Sequence, residues 1–162
     1  MPTTWSAEKN IAWKAEMPGE GNSTPIVWGE DVFVSCANDR GRMRSLMCYN
    51  RRDGKLRWAK TVRFRAPEKT HRTNPFCAAS PVTDGERVIV WHGSAGLYCY
   101  DMAGEEQWKK DLGEFDHIWG NASSPVIYKD SVIVNAGPGM RTFLVCFDKA
   151  MGEEKWRGTL ED

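Results

Sequence analysis

The side chains able to do chemistry are few and scattered. Three histidines, His71, His92 and His117, are spread over the middle and second half of the 162-residue chain. With Asn74, Trp119 and Asn121 close by in sequence, they would form a polar ligand or metal site if the fold gathered their segments. No H-x-H or HExxH spacing supports a metal, however, and loops carry such polar residues whatever they do. Trp119 also reads as an aromatic that packs its own loop down. The five cysteines are an odd number, so at least one is unpaired, and no CxxC or CxxCH marks a zinc, redox or haem site. There is no GxSxG and no Gly-rich phosphate loop. Nothing in the residue types argues for a nucleophile with its base, and binding is the better-supported class of function.

Charge is balanced overall, with 22 basic and 22 acidic residues, so no global field draws the chain to nucleic acid or anionic lipid. Locally it is uneven. The stretch 40–72 is strongly basic: from Asp39 to Arg72, twelve Lys/Arg face only Asp39, Asp53 and Glu68, a net of +9. It reads either as a docking surface for an acidic partner or as a solvated edge balanced by acidic neighbours. Its aromatics (Tyr49, Trp58, Phe64) are too sparse for base stacking, which disfavours nucleic acid. No run of ~20 apolar residues exists to span a membrane. The start, MPTTWSAEKN, lacks the layout of a signal peptide, leaving open both a cytoplasmic location and a start downstream of a removed leader.

The elements that must position these residues come from an internal repeat. TPIVWGEDVFVS (Thr24–Ser35), SPVTDGERVIVW (Ser80–Trp91) and SPVIYKDSVIVN (Ser124–Asn135) align, and each is followed by a strand-like run ending in tryptophan. Asn50, Asp101 and Asp148 each follow a cysteine (Cys48, Cys99, Cys146) by two residues; Gly54, Gly104 and Gly152 each precede Trp58, Trp108 and Trp156 by four. Trp13 looks like the tail of an earlier unit, and the Trp-to-Trp steps are 45, 50 and 48 residues. A period near 50 built from short strands points to a propeller of four-stranded blades. The predicted fold is therefore all-β: a β-propeller segment of antiparallel blades at about 23–62, 79–111 and 123–160, with an orphan outer strand at 10–17, all in one partial domain spanning 1–162. Sheets pack ~10 Å apart, too far for the repeat cysteines to bridge. Those three read as small buried hydrophobes, leaving Cys36 and Cys77 as the reactive or pairing thiols.

The pattern Val88–Val90, Gly96–Asp101 with cysteine in an alanine slot, then Gly104–Trp108 resembles the pyrroloquinoline-quinone-type (PQQ-like) propeller repeat. The resemblance covers roughly residues 10 to 160. WSAEKNIAWK and SPVTDGERV look most similar to a bacterial, BamB-like group of non-catalytic PQQ-repeat proteins. The resemblance implies a larger, seven- or eight-bladed propeller, a periplasmic or cell-envelope location, and a scaffold that presents its loops to a protein partner or envelope component. It also implies an alternative, a quinoprotein dehydrogenase holding PQQ and calcium. That activity would need a vicinal Cys pair, which this sequence lacks; Asp116 and Trp119 stand on the appropriate face without further marks. A sensor propeller of a larger signalling protein is a third reading. If the chain were complete, its open ends would have to meet in an oligomer. Turns alternate between faces, so the long connections (Ala37–Arg44, Arg63–Ala79, Asp111–Ser123, Ala136–Arg141) share one face, and any site is expected there.

Overall fold

A computed structural model describes residues 3–66, 68–137 and 142–159. Its twelve strands form three four-stranded antiparallel sheets, each built from strands consecutive in sequence. The first holds β1 (Ile26–Trp28), β2 (Asp31–Asn38), β3 (Met43–Asn50) and β4 (Leu56–Arg63). The second holds β5 (Val82–Thr83), β6 (Arg87–Trp91), β7 (Leu97–Asp101) and β8 (Glu106–Lys110). The third holds β9 (Val126–Tyr128), β10 (Ser131–Ala136), β11 (Phe143–Asp148) and β12 (Glu154–Thr159). These are propeller blades. Their middle strands are apolar where a neighbouring sheet covers them, which in the second blade is on both faces: Phe33, Leu46 and Cys48 meet Val88, Val90 and Tyr100 between the first two blades. Ile89, Trp91 and Cys99 meet Val132, Val134 and Val145 between the last two.

The repeated residues each have a local task. Asp101 Oδ1 accepts the backbone N–H of Ala103 and of Glu105, both at 2.9 Å. Asp148 and Asn50 close the equivalent turns. The turn then needs a left-handed residue, filled by Gly54, Gly104 and Gly152 at φ of 70°, 88° and 70°. Just before each turn the ladder slips register, at Cys48/Tyr49, Cys99/Tyr100 and Cys146/Phe147. That bulge re-aims the tryptophan that follows.

The tryptophans then join the blades. Trp13 Nε1–H donates to Arg51 O (2.7 Å), Trp58 Nε1–H to Met102 O (3.0 Å) and Trp108 Nε1–H to Lys149 O (2.9 Å). Each indole lies flat on the turn glycine of the next blade, so close that a Cβ on Gly54, Gly104 or Gly152 would stand 2.5–2.9 Å from ring carbons. A second contact links the inner strands: Thr24 N–H donates to Ser80 Oγ (2.8 Å) and Ser80 N–H to Ser124 Oγ (2.9 Å).

The expected outer strand at 10–17 does not form. Residues 11–17 are outside any strand, and among the described residues no further sheet offers them a ladder partner. What the segment keeps is the tryptophan contact, since Trp13 docks on the first blade as its repeat-mates dock on theirs. A stability comparison tests the arrangement. Trp108→Ala should cost about 3–5 kcal/mol in urea unfolding, as an aromatic lost from between two sheets does. Trp156→Ala should stay near about 0.5 kcal/mol, because Trp156 is 45% exposed with no blade packed on it. Equal losses would mean that the indoles stabilise their own blades rather than the joints.

Candidate functional site

Three of the long connections, at 37–44, 63–79 and 111–123, gather on one face around a buried arginine; the fourth, at 136–141, lies mostly outside the described residues. Arg44 is the second residue of β3 and is only 2% exposed. Its Nε–H donates to Gly41 O (2.9 Å), its Nη2–H to Glu68 Oε2 (2.5 Å) and its Nη1–H to the carbonyl of His92. The guanidinium is sandwiched between the rings of Phe64 (5.2 Å) and Phe76 (4.8 Å). Glu68 in turn accepts from Asn121 Nδ2 at 3.4 Å. One side chain thus ties the β2–β3 turn, the 64–81 connection and the end of β6, with the 111–125 connection reached through Glu68. Gly93 completes the cluster: a Cβ there would sit 3.1–3.2 Å from Asn121 Nδ2, Glu68 Oε1 and Arg44 Nη1.

The sequence-derived candidates separate into two groups. His71, Asn74 and Trp119 come together: Asn74 Nδ2 donates to Trp119 O (2.6 Å), and the His71 and Trp119 rings meet at 4.6 Å. This pair clasps the two inter-blade connections, with Lys69–Asp116 (3.0 Å) beside it. His117 turns inward on its own loop, its Nδ1 accepting from Trp119 N–H at 3.3 Å. His92 departs from its expected place on the rim: it is 1% exposed and lies under the connections beside Asn121. Sequence reasoning placed it at a strand end and took strand ends as open; the 64–81 connection folds over it.

His92 Nδ1 lies 3.5 Å from Cys77 Sγ, a thiol–imidazole pair that resembles a nucleophile and base. Its electrostatics forbid that role. Burial, then Arg44, pulls the His92 pKa down to about 3, and burial pushes the Cys77 thiol up to about 12, so both partners are neutral at pH 7. His92 Nε2 and Asn121 Oδ1 lack partners and border a cavity of about 10 Å³, room for one water at most. Cys36 and Cys77, expected to be the accessible thiols, are buried and free, as are Cys48, Cys99 and Cys146.

The donor set does not fit the cofactor pair that a dehydrogenase reading requires. Asp116 is engaged by Lys69, Glu68 by Arg44, and Trp119 rests on His71. Among the described residues no three His, Cys, Asp or Glu side chains come together as a metal would need.

What stays open on this face is a run of three grooves over the first blade, of about 430, 360 and 350 Å³. Arg40, Gly41 and Phe76 are common to the first and third, and Arg42 and Arg65 to the second and third. Of the twelve basic residues in 40–72, seven have an acidic partner: Arg44, Arg51, Arg52, Lys55, Arg57, Lys60 and Lys69. The balanced-edge reading of the charge fits six of those; Arg44 is instead buried.

Residues 3–162 match the sequence family described as outer membrane protein assembly factor BamB. No curated protein matches the chain. Among solved structures, a europium-containing methanol dehydrogenase superposes with a TM-score of 0.63 at 14% identity, covering 86% of this chain and 24% of that one. A quinohemoprotein alcohol dehydrogenase from Comamonas testosteroni gives 0.62 at 20%, covering 90% and 22%. BamB from Moraxella catarrhalis gives 0.58 at 12%, covering 91% and 54%. At these identities the likeness is one of fold. The chain spans about a quarter of each dehydrogenase and about half of that BamB.

Two outcomes follow from the buried cluster. A histidine whose folded pKa lies below its unfolded value stabilises the fold fully above pH ~6.5, and that contribution is lost as pH falls toward about 3. Unfolding free energy should therefore drop by up to about 1.4 kcal/mol per pH unit between roughly pH 6.5 and 5. The His92→Gln chain should lack that slope whatever its absolute stability, and an unchanged slope would show that His92 is not its source. Separately, a thiol reagent should leave all five cysteines unlabelled in native buffer and label them in denaturant; rapid native labelling of Cys36 or Cys77 would contradict their burial.

Proposed function

The chain belongs to the family of the outer membrane protein assembly factor BamB, and from that premise we propose that it is a non-catalytic propeller module that docks a protein partner on its long-loop face. The observation that carries this reading is how the loop-face side chains are used. Cys77, His92 and Glu68 are buried and engaged with one another or with Arg44, while the grooves beside them are open. A face that locks its reactive groups and leaves concave surface free is suited to recognition.

In this reading the module works without PQQ or calcium. It acts in the cell envelope of a bacterium, as the family description, an outer membrane protein assembly factor, favours. No helix among the described residues is long and apolar enough to cross a membrane. His71, Asn74 and Trp119 serve as the clasp that holds the face in shape, and His117 and Asn121 as its local supports.

Site-specific photo-crosslinking tests the assignment. A photoreactive residue at Arg72 or Ile118, on the loop face, should trap a discrete protein in cells; one at Glu86 or Asp130, on the opposite turns, should not. Equal trapping from both faces would sink the docking reading. So would alcohol-dependent dye reduction on adding PQQ and calcium.

A further inference from the structure

Among the described residues, five of the twelve basic residues in 40–72 form no ion pair or side-chain hydrogen bond: Arg40, Arg42, Arg63, Arg65 and Arg72, all exposed. They are not scattered. Arg40 and Arg72 wall the largest groove, Arg42, Arg63 and Arg65 wall the second, and Arg40, Arg42 and Arg65 stand around the one between. Two free carboxylates, Glu20 and Asp39, also line this surface, but neither comes within ion-pairing distance of these arginines. The floor is apolar: Pro75, Phe76 and Ala37 in the largest groove, Met43 and Phe64 in the second.

We propose that these grooves bind an extended acidic segment of a protein partner, its carboxylates on Arg40, Arg42 and Arg65 and its apolar side chains against Pro75 and Phe76. The inference rests on the docking reading of the loop face and names the chemistry of what docks. Guanidinium forks match carboxylates in bidentate geometry. Three grooves joined by shared walls fit a chain rather than a single small anion. Nucleic acid would need free aromatic faces for its bases, and Phe64 and Phe76 each already carry Arg44 on one face. A membrane surface would need projecting apolar side chains that insert; here the apolar residues are the groove floor, and none of them is among the exposed large hydrophobics.

The backbone under Arg40 supports the assignment independently. Asp39 and Arg40 take the left-handed region at φ of 46° and 55°, which disfavours any side chain with a Cβ. Glycine is the ordinary residue at such a turn tip. An arginine held there, with its side chain shared by two grooves, marks a position used for its charge at a cost in backbone strain.

The test uses anisotropy of a fluorescein-labelled peptide of alternating Glu and Val on the purified chain. A Gln–Val peptide, phosphatidylglycerol vesicles and duplex DNA are the comparison ligands. The Glu–Val peptide should bind, and more weakly as salt rises from about 0.05 to about 0.5 M. Arg40→Gly should lower affinity roughly two- to fivefold while leaving the melting temperature equal or higher, a combination that a merely structural residue cannot give. The triple variant Arg40→Gln, Arg42→Gln, Arg65→Gln should lose about tenfold or more, and Lys55→Gln, on the far turn, should change nothing. Equal binding of the Gln–Val peptide, no loss in the triple variant, or preferential binding of vesicles or DNA overturns the proposal. If the triple variant still traps the crosslinked partner as well as the parent chain, the arginine groove falls and the docking reading stands. If no partner crosslinks from the loop face but the peptide still binds through these arginines, the reverse holds.

Discussion

The architecture depends on one contact, an indole laid on a glycine that belongs to the next blade. Blades of a propeller share no backbone ladder, so something must set their spacing and rotation. Here an aromatic plane covers each turn glycine and its N–H finds the carbonyl beside it, at Arg51, Met102 and Lys149 in turn. The pair specifies both partners. The glycine must lack a Cβ because the ring already occupies that volume, and the tryptophan must be delivered by a register slip in the strand before it. The turn and the slip have no use without the neighbouring blade, and the neighbouring blade has no fixed place without them. The serine contacts between inner strands set the same spacing at the other edge of each sheet.

With the blades placed, the loop face has to be ordered separately, because its connections carry little regular structure of their own. Arg44 does this. A buried ion pair gains little net free energy over apolar packing, but losing one partner strands the other charge at a cost of about 3–5 kcal/mol. The pair Arg44–Glu68 therefore acts less as glue than as a constraint. With the carbonyls of Gly41 and His92 as further acceptors and two phenyl rings on the guanidinium, few other arrangements of these loops would satisfy Arg44. Burial within the same cluster pulls the His92 pKa down and pushes the Cys77 thiol up, so the packing that orders this face also disfavours a thiolate there.

The repeat was legible because each repeated residue acts within a few positions of itself. Asp101, Gly104 and Trp108 close a turn, permit it and leave it, so their spacing is written locally. The alanine-slot cysteines were readable for the same reason. Trp13 was legible as an indole but misleading as a strand, since docking needs one side chain and strand pairing needs a neighbouring ladder. The site was much less legible. Arg44 is one of twelve basic residues in its stretch, and its partners lie 24 and 48 residues away; no spacing distinguishes it from Arg42. His92, Cys36 and Cys77 were misplaced by the rule that residues near loops are exposed, which fails wherever a long connection folds back over a strand end. Thr24, Ser80 and Ser124 did carry a signal, each standing before a repeated proline, although their hydroxyl-to-backbone linkage needed the blades side by side to be seen.

The basic stretch separates into residues that build the fold and residues that do not. Seven cations are matched to carboxylates, two of them across blade boundaries, Lys60 with Glu105 and Lys69 with Asp116. If the remaining arginines were only a solvated edge, they would be expected to scatter over it and to sit at unstrained positions. Instead they line adjoining concave surfaces, with Arg40 on a left-handed backbone that glycine would occupy more easily. Self-repulsion among five cations opposes the folded state, and the two carboxylates on this surface, Glu20 and Asp39, form no ion pair with them. A fold that pairs most of the charge in one stretch, and leaves the rest crowded around a groove with an apolar floor, has the electrostatic form of half an interface. Under the docking reading proposed above, the other half would carry the opposite sign.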